Sequence, residues 1–443
     1  MRKLWVLAGA LLCITACSAR STSPPSASRE VSRNEDARVV IAWNERIFEA
    51  AIAEDGLLTL KGLRTASMAH LAIHDGLNAI DSRYETYLPF DARGGGDPVA
   101  AAASAAHAIA VDQYPDRRDL FDAELATWLA GVEDAAARNA GAELGRTVAE
   151  RILAQREDDG WDGEAEYQWH PMGPGVYAEF AEHGGTPEGF IFGAGWAAAR
   201  PFALESPSQF RAPLPPDIES AEYAEAFDEV KEVGRDESAT RTADQAHLAM
   251  WWKDFAENSH NRLARQLASE EAMNLWTAAR MFALVNLAIY DAYVNVFENK
   301  FHYNHWRPYT AIRWAANDGN PDTEPEPDWN NLHRHTYAFP SYPSAHGTAC
   351  TAAMTAIADT LGDDYSFTMT TAEVDQAGPF SGKVAMEPPT RKFESFSAAA
   401  MECALSRVYL GIHFRYDSEA GFELGRRIGE HVVREVLRPT GSD

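Results

Sequence analysis

Three short segments in the last third of the chain combine side chains that could bind and transform an anion. They read KFHYNHWRP (300–308), FPSYPSAHG (339–347) and SRVYLGIHFRYD (406–417). Their candidate residues are three cations, a hydroxyl, two imidazoles and a carboxylate: Lys300, Arg307, Arg407, Ser344, His346, His413 and Asp417. Arginine forks and a lysine point charge suit negatively charged oxygens. The set therefore predicts a site for a tetrahedral oxyanion such as phosphate or vanadate.

The first segment offers two cations seven residues apart. On one continuous helix, Lys300 and Arg307 would share a face. Pro308 disfavours helical geometry at the residue before it, so we expect Arg307 at a helix end or in a loop. Taken alone, this pair is more typical of a solvated lysine and an unrelated arginine than of an anion site.

The second segment has the pattern of a helix start. Ser344 follows a proline and precedes a helical run, which is an N-cap position. The free N–H groups of a helix N-terminus form a natural seat for an oxyanion. His346 would lie in the first turn and could act as an acid or base. A simple cap beside a surface histidine is the alternative.

The third segment supplies Arg407, His413 and Asp417. If a helix runs through His413 and Asp417, their spacing of four places them on one face. Asp417 could then accept the Nδ1 proton of His413 and leave Nε2 free to bind the centre of the anion. A surface ion pair is the alternative.

Together the segments fit K-x6-R-P, P-S-x-H and S-R-x5-H-x3-D in fixed order. This pattern resembles the acid phosphatase/vanadium haloperoxidase superfamily, which the vanadium-dependent haloperoxidases share with the type 2 phosphatidic-acid phosphatases. The third segment looks very like the haloperoxidase version, and Phe339 stands where haloperoxidases often carry an aromatic residue beside the cofactor. One departure is Ala345, where the family usually has glycine, and its methyl group could crowd the anion.

The resemblance implies a vanadium-dependent haloperoxidase, a peroxidase that uses hydrogen peroxide to oxidise halide to hypohalous acid. The implied cofactor is vanadate, with phosphate as a competitor. Its equatorial oxygens would be held by Lys300, Arg307, Ser344, Arg407 and the N–H of Ala345. The resemblance also implies that His413 binds vanadium through Nε2, that His346 is the acid–base group, and that Lys300 polarises peroxide. Asp417 and Phe339 would support these groups.

Two other functions stay open at this point. An acid phosphatase of the same superfamily would use His413 as the nucleophile that forms a phosphohistidine, and His346 would protonate the leaving alcohol. A non-enzymatic lipoprotein that binds phosphate or vanadate is the third interpretation.

Ala-rich helical periodicity predicts an all-α fold of two helical bundles. The helical patterns cover residues 39–52, 63–80, 99–111, 120–130, 135–155, 221–233, 273–297, 344–361, 396–409 and 417–436, and a capping box opens a further helix at Thr242. LAIHD (71–75) is echoed by LAIYD (287–291), a short match that fits two related bundles. Gly421, Gly425 and Gly429 recur every four residues, which favours close helix packing.

The predicted organisation has five parts. A signal peptide (1–16) precedes a lipid-anchored flexible tether (17–37), an N-terminal bundle (38–156), an irregular connector (157–216) and a C-terminal bundle that carries the oxyanion site (217–443). The connector is rich in Gly, Pro and aromatic residues. It could be a loop that shapes the entrance to the site or a plain link between the bundles.

The net charge of −27, from 66 acidic and 39 basic residues, excludes nucleic acid and anionic lipid as expected partners. No apolar run long enough to span a membrane follows the N-terminus. Arg2 and Lys3 precede an apolar run that ends in ITAC (14–17), which resembles a bacterial lipobox. This implies an exported bacterial lipoprotein, periplasmic or on the cell surface, whose membrane contact is a lipid on Cys17. The sequence leaves the oligomeric state open.

Several further residues have a structural interpretation. Cys350 and Cys403 lie in apolar helical stretches, so buried free thiols are the default and a disulfide is the alternative. His70 and His74 have the spacing of a zinc pair, but without a third ligand we expect core or interface histidines. Asp291 is expected to be structural.

Overall fold

The computed structural model describes residues 36–56, 59–90, 95–178, 187, 189–379 and 381–441. The proposed signal peptide, Cys17 and nearly all of the tether lie outside the described residues. The predicted all-α fold is confirmed, because helices make up most of the described chain.

The first half folds into helices close to the predicted ones. They are α1 (Arg38–Asp55), α2 (Leu60–Ile80), α3 (Pro98–Gln113), α4 (Arg118–Ala130) and α5 (Ala135–Gln155). Side-chain caps define several starts: Thr59 accepts from the N–H of Gly62 before α2, and Asp97 accepts from that of Ala100 before α3.

The second half contains the remaining helices. They are α6 (Ala221–Val233), α7 (Ala243–Trp251), α8 (Ala256–Glu270), α9 (Leu275–Tyr303), α10 (Pro308–Trp314), α11 (Ala345–Leu361), α12 (Phe396–Tyr409) and α13 (Arg415–Glu435). The predicted capping box at Thr242 is present. Sequence periodicity missed α8 and α10, and it ended α9 before Lys300, which the helix in fact includes.

Four short strands interrupt the helical pattern between α11 and α12. Strand β1 (Phe367–Thr370) pairs antiparallel with β4 (Thr390–Phe393), and β2 (Glu373–Asp375) pairs antiparallel with β3 (Lys383–Ala385). The all-α prediction did not include them. Strands of three or four residues carry too little alternation to be recognised in a sequence.

Helix α9 lies at the centre of the molecule and is buried along most of its length. It packs against α2 of the first half, and Trp276 Nε1 donates to Leu77 O at 3.2 Å. A buried polar contact also crosses between the halves, where Asn44 Nδ2 donates to Asn261 Oδ1 at 2.7 Å. The hydrophobic core is therefore shared by both halves, and the domain boundaries drawn from the sequence stay predictions.

The echoed segments play matching roles in α2 and α9. Asp75 accepts from the backbone N–H groups of Tyr87 and Leu88 at 2.7 and 3.0 Å. Asp291 accepts from those of three consecutive connector residues, Phe202 to Leu204, at 2.6–2.9 Å. Each carboxylate fixes an irregular segment against its helix, so the structural interpretation of Asp291 agrees with the observed contacts.

The connector lies along α9 toward the first motif. Asn295 and Asn299 donate to the carbonyls of Pro207 and Phe210 at 2.7 and 2.9 Å. Near the end of α9 the ring of Phe192 lies 5.9 Å from that of Phe339. Because the connector contacts Phe339 of the second motif, the structure favours a loop that shapes the entrance to the site over a plain link between the bundles.

Helices α11 and α13 approach each other closely at the glycines that recur every four residues in the sequence. A Cβ on Gly425 would lie 2.2 Å from the carbonyl oxygen of Thr348, and one on Gly421 would lie 2.5 Å from that of Ser344. A disulfide between Cys350 and Cys403 links α11 to α12. The disulfide, which the sequence analysis gave as the alternative, is thus observed, and the buried free thiols expected by default are not. No described helix is long and apolar enough to cross a membrane.

Candidate oxyanion site

Lys300 occupies the last turn of α9 and is fully buried. Its Nζ donates to the carbonyl oxygens of Pro340 and Ser341 at 3.0 and 2.7 Å. The first motif is thereby fixed to the second. An ammonium group has three N–H donors, so these two bonds leave one for a ligand.

Arg307 lies just outside α10, as Pro308 predicts, and is also fully buried. Its Nε donates to Phe339 O at 2.9 Å, and Nη1 donates to Ile412 O at 3.0 Å. The same Nη1 lies 3.2 Å from Nε2 of His413. Its guanidinium carbon lies 4.7 Å from the centre of the Phe339 ring. Arg307 therefore joins all three motifs.

The second motif starts helix α11 as predicted. Ser344 is the buried N-cap, and its Oγ accepts from the N–H of Gly347 at 3.2 Å. Ala345 is 7% exposed and begins the first turn. His346 follows it, and its Nε2 is buried without a hydrogen-bond partner among the described residues. Burial and the charge of Arg407 hold the pKa of His346 well below its usual value.

Arg407 is fully buried in the last turn of α12. Its Nε donates to Ser406 Oγ at 3.0 Å, and Nη2 donates to Ala249 O at 3.1 Å. These bonds fix the guanidinium group while Nη1 has no partner among the described residues.

His413 and Asp417 form the predicted pair, but the predicted helix does not contain both. Helix α13 begins at Arg415, so His413 lies in the turn before it. Its Nδ1 is nevertheless 2.9 Å from Asp417 Oδ2, which also accepts from the N–H of Phe414 at 3.1 Å. The turn, rather than a shared helix face, creates the contact. The alternative of a surface ion pair is wrong, because both side chains are buried.

Ser341 was missed by the sequence reasoning although it lies within the second segment. Its hydroxyl is 3.2 Å from Nδ1 of His413 and donates to Oδ2 of Asp417. The sequence offered one signal, a second serine three residues before the N-cap serine, but one short polar residue is a weak indication.

The electrostatics of the site favour an anion. Burial lowers the pKa of Arg307 and of Arg407 to about 10, and burial and Arg307 hold that of Lys300 well below its usual value. The pKa of His413 is lowered by burial and by the charges of these three cations and of His346. The shifts of Lys300, Arg307 and Arg407 show that positive charge is unfavourable at these buried positions, and a bound anion would stabilise it.

Asp417 is the carboxylate that faces these cations most directly. Burial raises its pKa to about 7, against the opposing effects of Ser341 and Lys300. Its Oδ1, Nη2 of Arg307 and Nη1 of Arg407 are all buried without a partner among the described residues. Buried polar groups are normally hydrogen-bonded. The unpaired donors therefore indicate space for an oxyanion, and the residues present fit vanadate or phosphate.

The other histidine pair, His70 and His74, is buried in the core. His70 Nε2 lies 2.9 Å from Asn44 Nδ2 in the core, and His74 Nδ1 lies 3.2 Å from Asp75. The described residues contain no cluster of three or more potential metal-ligating side chains. The interpretation of both as core histidines agrees with this.

Comparison with known proteins gives a consistent match. Residues 280–441 match the family model described as the VCPO second helical-bundle domain. The vanadium chloroperoxidase of Curvularia inaequalis is 25% identical over 275 residues. That alignment covers 50% of this chain and 42% of the relative, so it spans less than half of the relative's length.

Solved structures extend the similarity to the whole fold. The first bacterial vanadium-dependent iodoperoxidase superposes with a TM-score of 0.73 at 22% identity, over 92% of this chain and 98% of that one. The holo-type bacterial vanadium-dependent chloroperoxidase gives 0.64 at 17% identity, over 85% and 92%. The resemblance found in the motifs is confirmed, and the fold is that of the vanadium haloperoxidases.

Proposed function

We propose that this chain, which has the fold of the vanadium haloperoxidases, is a vanadium-dependent haloperoxidase that oxidises halide with hydrogen peroxide. One observation carries the proposal. Among the described residues, buried donors of Arg307 and Arg407 and the Nε2 of His346 lack hydrogen-bond partners. All three residues act electrostatically on His413, whose Nδ1 is committed to Asp417. A tetrahedral oxyanion would satisfy them. The relatives named above are haloperoxidases, which favours vanadate over phosphate as the resident anion.

The proposed binding roles follow from the side-chain positions. Lys300, Arg307 and Arg407 would neutralise the anion, with Ser344 and the N–H of Ala345 at the start of α11. Bound vanadate supplies a Lewis-acid centre at which hydrogen peroxide is activated toward halide. Phe339 lies 5.2 Å from Lys300 Nζ and 4.7 Å from the guanidinium carbon of Arg307. Its ring would exclude water from both cations and strengthen their interaction with the anion.

The two histidines have separate proposed tasks. Asp417 and Ser341 hold the Nδ1 side of His413. The Nε2 lone pair, which lies 3.2 Å from Nη1 of Arg307, would then bind the metal. His346 has a free Nε2 and a lowered pKa, so it is neutral at pH 7 and can accept a proton from hydrogen peroxide. Lys300 keeps a donor that can stabilise negative charge on the peroxide oxygen.

An acid phosphatase remains the alternative on the same residues. The Nε2 of His413 could attack phosphorus, and His346 could protonate the leaving alcohol. The same unpaired donors would stabilise a phosphoryl group. A lipoprotein that only binds an oxyanion is the third candidate.

One assay separates these functions. The purified protein is stripped of metal and phosphate, supplied with orthovanadate, and tested for peroxide-dependent oxidation of iodide, bromide and chloride. Ester hydrolysis is measured on a vanadate-free sample. We expect halide oxidation that requires vanadate and is lost as phosphate competes. Ester hydrolysis that vanadate inhibits, with no halide oxidation, would move the protein to the phosphatases.

Two histidine variants test the assigned roles. His413→Ala is expected to lose vanadate binding and halide oxidation together. His346→Ala should keep vanadate binding but lose most turnover, typically about 10²–10⁴-fold for an acid–base group. His302→Ala, an exposed histidine near Lys300, is the matched control. Full halide oxidation in His413→Ala would refute the site, and full turnover in His346→Ala would refute its role.

We also propose that the protein is an exported lipoprotein, anchored through Cys17 and periplasmic or exposed at the cell surface. The proposal is supported by Arg2 and Lys3, the apolar run after them and the ITAC sequence at 14–17. Hydrogen peroxide and halide would then reach the enzyme from outside the cytoplasm.

A further inference from the structure

A second group of basic side chains lies beside the oxyanion site and is not used by it. We call Lys253, His333 and His335 the outer basic cluster. Lys253 is 7% and His333 2% exposed, while His335 is half-buried. Burying three basic groups together is unfavourable unless a partner compensates them. The cluster therefore needs a physical explanation of its own.

Lys253 lies between α7 and α8 and reaches the loop that follows β2. Its Nζ donates to Ala377 O at 2.6 Å and to Asp375 O. These are backbone carbonyls, so they supply no compensating charge. Burial and the charge of Arg407 lower the pKa of Lys253 to about 7. One of the three ammonium donors remains for a ligand.

The two histidines come from a turn in which Arg334 N–H donates to Asn331 O at 3.0 Å and Arg334, with φ of 50°, separates the two rings. The rings of His333 and His335 are 5.7 Å apart, and His335 lies 5.0 Å from Tyr337. Asn331 fixes the segment: its Oδ1 accepts from the N–H of His335 at 3.0 Å, and its Nδ2 donates to His335 O at 2.8 Å. Neither ring nitrogen of His333 makes a hydrogen bond of normal geometry among the described residues, although the backbone carbonyl of Ala377 is near enough to oppose the lowering of its pKa.

Lys253 is the charged member of the cluster, because burial and Lys253 lower the pKa of His335 to about 4. Burial, Lys253 and then His335 and Arg407 hold the pKa of His333 well below its usual value. The carboxylate that acts on Lys253 is Asp375, but it is paired with Lys383 at 2.8 Å. The ammonium of Lys253, which forms no salt bridge among the described residues, thus stands out in a chain with a net charge of −27, whose overall field repels anions.

The cluster is also connected to the oxyanion site. Arg407 acts electrostatically on His333, Lys253 and His346. The ring of Tyr337 stacks on that of Phe339 at 5.7 Å, and Phe339 covers Lys300 and Arg307. An anion held by the outer basic cluster would therefore lie next to the wall of the oxyanion site.

We propose that the outer basic cluster binds a halide ion beside the oxyanion site. Its groups are single-point donors, an ammonium and two imidazoles, whereas tetrahedral oxyanions are matched by arginine forks. The rings of His335 and Tyr337 provide a polarisable, partly desolvated surface that suits a large, weakly hydrated halide. Lys253 and His333 supply the charge and the N–H donor.

The proposal identifies a binding site for halide, so the role of that site in catalysis rests on the proposed function. Its test does not, because halide binding can be measured without vanadate. The full chain, free of vanadate and phosphate, is titrated with bromide while the line width of the 35Cl NMR signal of chloride is followed. Bromide displaces chloride from a shared site and narrows the signal.

Three lysine variants give the decisive comparison. Lys253→Met removes the charge and should weaken bromide binding about tenfold or more, as expected for a hydrogen bond to a charged group. Lys253→Arg keeps the positive charge and should retain most of the bromide affinity. Lys392→Met is the control, since Lys392 is exposed and pairs with Glu394. His333→Phe keeps an aromatic ring but removes both ring nitrogens, so it should also weaken bromide binding.

Vanadate affinity is measured on the same variants. We expect it to change less than about twofold in Lys253→Met, while the KM for halide rises with bromide Kd. Unchanged bromide binding in both Lys253→Met and His333→Phe would overturn the proposal, as would equal losses of bromide and vanadate affinity. Bromide binding that depends on Lys253 in a protein without halide oxidation would support the anion site and refute the proposed function.

Discussion

Nδ1 of His413 lies 2.9 Å from Oδ2 of Asp417, although only Asp417 belongs to a helix. The same oxygen accepts from the N–H of Phe414 at 3.1 Å. One carboxylate thus caps α13 and orients the histidine proposed to bind the metal. Starting the helix and building the site depend on the same side chain.

Replacing Asp417 tests this relationship. In Asp417→Asn the amide can present an N–H to His413, which favours the tautomer whose Nε2 carries the proton. We expect vanadate affinity to fall about 10–100-fold, as for other groups that orient metal ligands. Isothermal titration of the metal-free protein with orthovanadate measures it. Glu419→Gln, an exposed carboxylate on the same helix, is the control, and affinity within twofold of wild type in Asp417→Asn would contradict the role.

Glu257 predicts how stability depends on pH. It is buried with its Oε2 accepting from Tyr293 at 2.6 Å, and burial raises its pKa to about 7. Because the unfolded carboxyl has a pKa of about 4.3, the folded state binds the extra proton between these values. The free energy of unfolding should therefore fall as pH rises from about 4 to 7, by up to about 3 kcal/mol.

Denaturant unfolding at pH 5 and pH 8 measures this effect. Glu257→Gln cannot titrate and still offers an acceptor to Tyr293, so its stability should fall less between the two pH values. Glu270→Gln, at the exposed end of the same helix, should retain the wild-type dependence. A pH dependence in Glu257→Gln equal to that of wild type would show that this carboxyl does not titrate as described.

The disulfide between Cys350 and Cys403 joins the helix of His346 to the helix of Arg407. It closes a loop with a sequence separation of 53 residues, which limits the entropy of the unfolded chain. Removing it in a Cys350→Ala/Cys403→Ala variant should cost about 2–4 kcal/mol of unfolding free energy. Reduced wild type loses the crosslink but keeps both sulfur atoms. Comparing its unfolding free energy with that of the double variant separates the loss of the crosslink from the loss of side-chain packing. Reactive thiols located at Cys350 and Cys403 in unreduced, denatured protein would disprove the bond.

The membrane anchor is tested by Cys17→Ser. If the lipid is attached at Cys17, this variant should move from the membrane fraction to the soluble fraction of the producing cells. Cys13→Ser alters a cysteine within the proposed signal peptide and should leave the distribution unchanged. Retention of Cys17→Ser in the membrane fraction would show that another feature holds the protein there.

Much of the site could be predicted because its residues come in short segments with local signals. Pro308 places Arg307 outside a helix, and Ser344 after a proline marks the start of α11; both are observed. Helix boundaries were predicted closely where Ala-rich periodicity was strong. Neighbours along the chain determine these features, so a sequence contains the necessary information.

Other features depend on contacts between distant segments. Ser341 meets His413 and Asp417, which lie more than 70 residues further along the chain. Lys253 reaches the loop after β2, over 120 residues away. Polar residues of this kind look ordinary in the sequence, because their role depends on what packs against them.

The sequence by itself predicted the class of ligand, because the types and order of Lys300, Arg307, Ser344, Arg407 and His413 suit an oxyanion. It also determined the helical fold, since periodicity is local. Only the tertiary structure decided that His413 reaches Asp417 through a turn, that α2 and α9 share one core, and that Cys350 bonds Cys403. These facts depend on distances between segments far apart in the chain, which packing of the whole molecule sets.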